Sequence, residues 1–316
     1  MFQRFTGKVA YLSSWFGLKI GCGIAKVFPQ EAFWLADRFA DIGYHCFRGF
    51  RNRSVDNLRF AFGDRLTPPA IDAIVRRSLR NFFRAFVESA VAVKSSDDEL
   101  RRSIPLEGRE HLEAALAKGN GVLVLSAHLG NFFLVGCRIA IEGYEAYVLV
   151  NQPRDGSFAK LMDDYRLKAR QRTIHARPRR EALRQLNSAM RRNRLAVMIA
   201  DEFRQGKGIE VPFFDGMVIS RRGPATLALR TGAAIVPACL VRQTDDSLKL
   251  VIEPELELER SSRGAAQIRE NTIRITRWLE RTTRTYPDQW NWMNIRWWVA
   301  NREKLGNQEQ QLKQAV

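Results

Sequence analysis

The chain has 316 residues, 45% hydrophobic and 27% charged, which allows one large α/β domain with a helical arm and excludes global disorder. Its 51 Lys and Arg against 34 Asp and Glu leave a formal charge of +17, which points to a polyanionic partner. That partner is an anionic membrane face, a phosphorylated lipid or an acidic carrier protein rather than nucleic acid, because the arginines are scattered and no nucleic-acid-binding signature appears.

Residues 1–50 read as N-terminal membrane-interface helices. The opening is apolar but broken by Lys8, Lys19 and Lys26, and it lacks a small-residue cleavage site. No window has the roughly 18 uncharged apolar residues of a membrane span. Residues 8–28 fit an interfacial helix with Trp15, Phe16, Leu18, Ile20 and Ile24 toward acyl chains, or a helix packed on the domain. Arg48, Arg51 and Arg53 form a basic knot, suited to lipid phosphates or to plain solvation. The α/β domain is expected over 51–300 and a polar tail over 301–316. Residues 1–118 read as helical, most clearly from Thr67 to about Val93. Thr67 caps, Pro68 and Pro69 suit the first turn, and Ile71, Val75, Leu79, Phe82, Phe86 and Ala90 make one apolar stripe. Glu88, late on this helix, is expected to be solvated or paired.

From Gly119 the rhythm becomes strand and helix in alternation. Strands are expected at 121–127, 147–152, 195–201, 233–241 and 248–254. Helices are expected at 131–141, in a basic stretch reaching Arg172, at 179–192, at 222–231 and at 264–286. This order predicts a largely parallel central sheet flanked by helices. Cys22, Cys46, Cys137 and Cys239 lie in apolar surroundings without a C-x-x-C pair and read as buried reduced thiols. The histidines do not cluster with them, so no metal site is expected.

His128 follows the strand GVLVLSA directly, and ligands gather at the carboxyl ends of strands in open α/β sheets. Gly130 and Asn131 suit a tight turn into the next helix, whose N-terminus would disfavour the charged imidazole and keep a base available. A lone histidine after a strand also reads as structural. The stretches SAHLGN (126–131), VPFFDG (211–216), SRRGPATLALRTGAAIVPA (220–238) and YPDQWNWMNIRWW (286–298), with RNRSVDNLRFAF (51–62), resemble the lysophospholipid acyltransferase superfamily. They are most similar to the branch that adds secondary acyl chains to lipid A precursors.

That resemblance implies a glycerolipid acyltransferase-like α/β fold and a His-x4-Asp/Glu motif in which the acid orients the histidine. His128 matches the histidine, but Phe133 stands at the acid position, and a phenyl ring cannot accept the imidazole N–H. Asp201, ending the strand LAVMIAD, is the best substitute, with Glu202 second. The resemblance also implies roles for Asp201 and for Arg166 in the preceding basic helix. It makes VPFFDG followed by Arg221, Arg222 and Gly223 a loop that handles phosphate or head group, helped by a helix start near Pro224. Asn131 joins the substrate-binding set. Phe213, Phe214, Met217 and Val218 border an acyl chain or fill core. Trp290 and Trp292 are expected to pack on the domain, and the WNWMNIRWW stretch otherwise suits a membrane interface. Basic runs at 166–172 and 177–180 fit an acidic carrier protein or lipid phosphates.

The resemblance therefore implies O-acyl transfer from acyl carrier protein or acyl-coenzyme A to a membrane glycolipid or lysolipid, without a cofactor. The work would take place at the cytoplasmic face of a bacterial inner membrane. The alternative is a degenerate relative that binds lipid or carrier without turnover, for which Phe133 speaks.

Overall fold

A computed structural model of the protein describes residues 23–25, 27–151, 156–203 and 208–293. Most of residues 8–28, the 301–316 tail, Trp297 and Trp298 lie outside the described residues. Among the described residues, a helical stretch at 23–25 precedes three helices: α1 (Pro29–Cys46), α2 (Arg48–Phe62) and α3 (Pro68–Lys94). The Thr67 hydroxyl accepts the Ala70 N–H at 3.4 Å, and Pro68 opens the first turn of α3. Ile71, Val75, Leu79 and Ala90 are buried on its stripe. Phe86, expected on that stripe, is instead exposed, because the buried face of α3 there runs through Ala85, Glu88, Ser89 and Ala92, to one side of it.

Next come α4 (Asp97–Ser103), β1 (Leu106–Glu107), α5 (Arg109–Leu116), β2 (Val122–Ser126), a 3₁₀ turn (Phe132–Leu134), α6 (Val135–Ala140) and β3 (Ala146–Val150). The chain continues through α7 (Gly156–Lys168), β4 (Arg172–His175), α8 (Arg179–Arg191), β5 (Leu195–Ile199), β6 (Ile209–Phe213) and β7 (Gly216–Ser220). It ends its regular structure with α9 (Gly223–Thr231), β8 (Ala234–Arg242), β9 (Leu248–Ile252) and α10 (Gly264–Thr285). Seven strands form one sheet in the order β1-β9-β8-β2-β5-β3-β4. All neighbours are parallel except β8 and β9, which the 245–247 turn joins as a hairpin.

Along β2, Leu123 and Leu125 enter one core cluster while Val122 and Val124 enter another, so the sheet is covered on both faces. The first face is packed by α3, α8, α9 and α10, and the second by α5 and α6. The fold is α/β, with a mostly parallel sheet and N-terminal helices. No helix among the described residues is long and apolar enough to cross a membrane.

Three expectations are corrected. The helical reading of 1–118 misses β1, a two-residue strand too short to carry a period. The basic helix does not reach Arg172: the chain leaves α7 after Lys168, turns at Arg170 with φ 60°, and Arg172 begins β4. VPFFDG is not an open loop but the tip of the antiparallel β6–β7 hairpin, with Phe213 and Val218 in the core. In addition, Cys46 is exposed, while Cys137 and Cys239 are buried as expected.

Candidate active site

The β2–β5 register sets the site. Ser126 pairs with Ile199, so His128 and Asp201, each two residues further on, emerge together at the carboxyl edge of the sheet. The turn after β2 is tightly held. The Gly130 N–H donates to the Gln289 carbonyl at 3.0 Å, the Asn131 N–H to the Leu240 carbonyl at 2.9 Å, and the Asn291 N–H to the His128 carbonyl at 2.8 Å. Gly130 has φ 56°, and a Cβ there would collide with the Leu240 carbonyl oxygen, so only glycine fits between the turn and β8.

His128 Nδ1 lies 2.8 Å from Asp201 Oδ1. Asp201 Oδ2 accepts the His128 backbone N–H at 2.9 Å and the Trp290 indole N–H at 2.6 Å. A carboxylate accepts only, so Nδ1 carries the proton and Nε2 holds the lone pair of the neutral imidazole. Asp201 is fully buried, whereas the His128 side chain is 24% exposed.

Burial works against a charged His128, but the Asp201 carboxylate and its hydrogen bond outweigh it and hold the imidazole pKa above 6.5. Burial likewise opposes the Asp201 charge, and His128, the indole N–H and the backbone N–H together keep that carboxyl below its ordinary range. The sequence expectation of a depressed histidine fails here. No α-helix starts at the turn: a 3₁₀ turn intervenes before the six-residue α6, and the buried carboxylate dominates the local field.

Phe133 takes no part in this pair. The His128 ring meets Phe132 at 4.8 Å, Phe132 meets Phe133 at 4.1 Å, and Phe133 meets Phe86 of α3 at 5.3 Å. Glu202, the second-choice acid, accepts Asn151 Nδ2 at 2.7 Å and pairs with Arg221 Nε at 3.1 Å. Arg221 is thereby tied to the loop that carries Asp201. Arg222 and Gly223 are exposed at the start of α9, and a Cβ at Gly223 would meet open space.

Asn131 is fully buried. Its Nδ2 donates to Glu88 Oε2 at 2.7 Å and to the Ala85 carbonyl at 3.2 Å, behind the His128 turn. Glu88 Oε1 pairs with Arg242 NH2 at 2.6 Å, and Arg242 Nε donates to Asn81 Oδ1 at 2.9 Å. Burial pushes the Glu88 carboxyl up despite Arg242 and Asn131. Arg166 lies elsewhere: it bonds Asp163 at 3.0 Å, and Asp163 also meets His175 Nε2 at 2.9 Å beside edge strand β4. Its guanidinium pKa is lowered by desolvation.

Sequence reasoning missed two partners. Trp290, fully buried with Trp292, donates to Asp201 from 89 residues away, and nothing in its spacing announces this. The Glu88–Arg242 pair joins α3 to β8. Pairing was one of the two expectations for Glu88, but nothing in the sequence named Arg242 as its partner.

Chemically, the arrangement presents a basic imidazole nitrogen, oriented by a buried carboxylate, at the edge of a sheet, with Arg221 paired to the residue after that carboxylate. Residues 2–298 match the profile of the family described as bacterial lipid A biosynthesis acyltransferase. The chain is 27% identical over 175 residues to the phosphatidylinositol mannoside acyltransferase of Mycobacterium tuberculosis, covering 54% of this chain and 55% of that relative. It is 25% identical over 228 residues, 71% of each chain, to the lipid A biosynthesis palmitoleoyltransferase of Escherichia coli. The match thus spans little more than half of the mycobacterial relative and over two thirds of the enterobacterial one. The chain belongs to the bacterial lipid A biosynthesis acyltransferase family.

Proposed function

We propose that the protein is an acyltransferase. It moves a fatty acyl group from an acyl carrier protein or coenzyme A thioester to a hydroxyl of a membrane glycolipid or lysolipid, lipid A precursor-like in class. The observation that carries this reading is the 2.8 Å pairing of His128 with a buried carboxylate, Asp201, which supplies the acid missing at Phe133. His128 Nε2 takes the hydroxyl proton as the alkoxide attacks the thioester carbonyl, and it returns that proton to the departing thiolate. Asp201 holds the tautomer and stabilises the imidazolium. Backbone N–H groups hold the oxyanion. Arg221, Arg222 and the Gly223 backbone at the start of α9 bind anionic head-group or donor phosphate. Arg166 binds an anionic group further along the sheet edge, and Asn131 acts from behind the turn by keeping His128 in place.

In this reading the N-terminal helices form the membrane arm, and the protein works at the cytoplasmic face of a bacterial inner membrane. The relatives' names favour a glycolipid acceptor: one acts on a phosphatidylinositol mannoside, another in lipid A biosynthesis. The degenerate-binder reading rests on Phe133, and the pairing of His128 with Asp201 speaks against it. The test is incubation of purified protein with radiolabelled acyl-carrier or acyl-coenzyme A donors and membrane extract. A labelled lipid that disappears with His128→Ala supports transfer. No acylated product in any extract, with tight vesicle binding retained, overturns it.

A further inference from the structure

Helix α1 is apolar on the wrong side for a helix that only packs on a protein. Its inward face is built from the small residues Ala32, Ala36, Ala40 and Gly43, with Tyr44 at its end bonded to Asp72 of α3, all buried where the two helices pack. Its large apolar residues point the other way: Trp34 is 61% exposed, Phe39 58% and Ile42 57%, with Leu35 beside them. A surface helix of a globular protein normally turns its bulky apolar stripe to the core. Isolated exposed apolar residues need no account, but a contiguous stripe on one helix does.

The charges on α1 follow the same division. Asp37 is held by Arg84 at 2.7 Å and Asp41 by Arg80 at 2.8 Å, so both carboxylates are turned toward α3 and neutralised. Glu31, in the first turn, is the acid left on the exposed side. Past the other end of the stripe, Phe47 and Phe50 are exposed in ring contact at 6.1 Å, and exposed Arg48 stands between them in the chain. The Arg53 guanidinium lies 5.4 Å from the Phe50 ring centre.

We propose that the outer face of α1, centred on Trp34, Phe39 and Ile42, seats the protein on an anionic lipid bilayer. The inference rests on the acyltransferase reading, which requires a membrane-borne acceptor, and it names the surface that meets that membrane. Aromatic rings with flanking arginines suit the boundary between acyl chains and anionic head groups. A second copy of the chain is the poorer occupant, because two molecules each of formal charge +17 repel. The surface is also continuous with the site. Exposed Phe86, on the helix that anchors α1, is linked through Phe133 and Phe132 to the His128 ring. A phenyl ring rather than a carboxylate at 133 keeps that approach apolar, while Asp201 does the acid's work.

The experiment is flotation of the full chain with vesicles of phosphatidylethanolamine and phosphatidylglycerol, comparing wild type with Trp34→Glu/Phe39→Glu/Ile42→Glu. These side chains are exposed, so the variant is expected to melt as wild type does. Its partition onto vesicles is expected to fall at least about tenfold. A triple variant that floats like wild type overturns the α1 surface while leaving a membrane-borne acceptor intact. A wild type that never floats overturns the surface too and counts against the acyltransferase reading itself. Should wild type be a dimer that the triple variant splits, with vesicle binding unchanged, the stripe is a contact between copies and the proposal fails.

Discussion

Asp201→Asn tests the chemistry of the site with almost no change of shape. In the native site Oδ2 receives two N–H donors, the His128 backbone and the Trp290 indole. The carboxamide of asparagine must place its oxygen there. The opposite orientation leaves two buried donors without acceptors, at about 1–3 kcal/mol each. The orientation is therefore fixed by roughly 2–6 kcal/mol, and the NH2 group faces His128 Nδ1. Nδ1 then has to accept, which sends the imidazole proton to Nε2, the nitrogen that should be taking a proton from the hydroxyl. Spoiling the acid of a serine-protease triad in this way costs about 10⁴-fold in turnover, or about 5.5 kcal/mol of transition-state stabilisation. We expect a loss of similar order in single-turnover transfer of a radiolabelled acyl group, with the thermal melt showing that the variant is folded. Phe133→Asp in the same background is expected to restore nothing, because that ring is turned to Phe86. A folded Asp201→Asn protein that keeps more than about a tenth of the wild-type rate would refute the assignment of Asp201 as the orienting acid.

The pH profile follows from the same pair. With the neutral imidazole as the proposed base, transfer is expected to rise with pH through the His128 pKa, with its midpoint raised above the ordinary imidazole value; a midpoint at or below that value contradicts the coupling. Because the folded pKa is raised, the pair's contribution to stability is complete below the ordinary imidazole pKa and fades as pH rises through the folded value. Urea unfolding of wild type against His128→Asn across that window measures it. Trp290→Phe removes one donor from Asp201 and is expected to move the rate profile further up. Gly130→Ala is expected to destabilise by more than about 2 kcal/mol, since positive φ and a collision with the Leu240 carbonyl act together. Wild-type melting of that variant would show that the turn has room. Glu88→Ala strands the buried Arg242 guanidinium and is expected to cost about 3–5 kcal/mol in urea unfolding. The Glu88→Ala/Arg242→Ala double variant should cost less than the sum of the singles, and additivity would mean that the two do not act as a pair.

The periodic strands and helices from Gly119 onward were legible in the sequence, because each is long enough to carry a pattern and is bounded by turn residues. So was the position of His128, since a strand of apolar residues ending in His-Leu-Gly-Asn marks a sheet edge. The N-cap at Thr67 was local chemistry and needed no tertiary knowledge. What lacked a local signal was misread: β1 is two residues long, β4 hides in a basic stretch, and the β6–β7 hairpin looks like a loop when its partner strand is unknown.

The chain by itself determined that a histidine would stand at the carboxyl end of an α/β sheet and that Phe133 would offer it no carboxylate. The sequence offered Asp201 first and Glu202 second, and only the tertiary structure decided which carboxylate meets His128. The parallel register of β2 and β5 brings Asp201 level with His128 across 73 residues of chain, and Trp290 closes the pair from further still. The same division governs α1. Its composition was readable, but the side presented to solvent depended on where α3 placed Arg80 and Arg84, because those ion pairs and the small residues between them set the rotation of the helix.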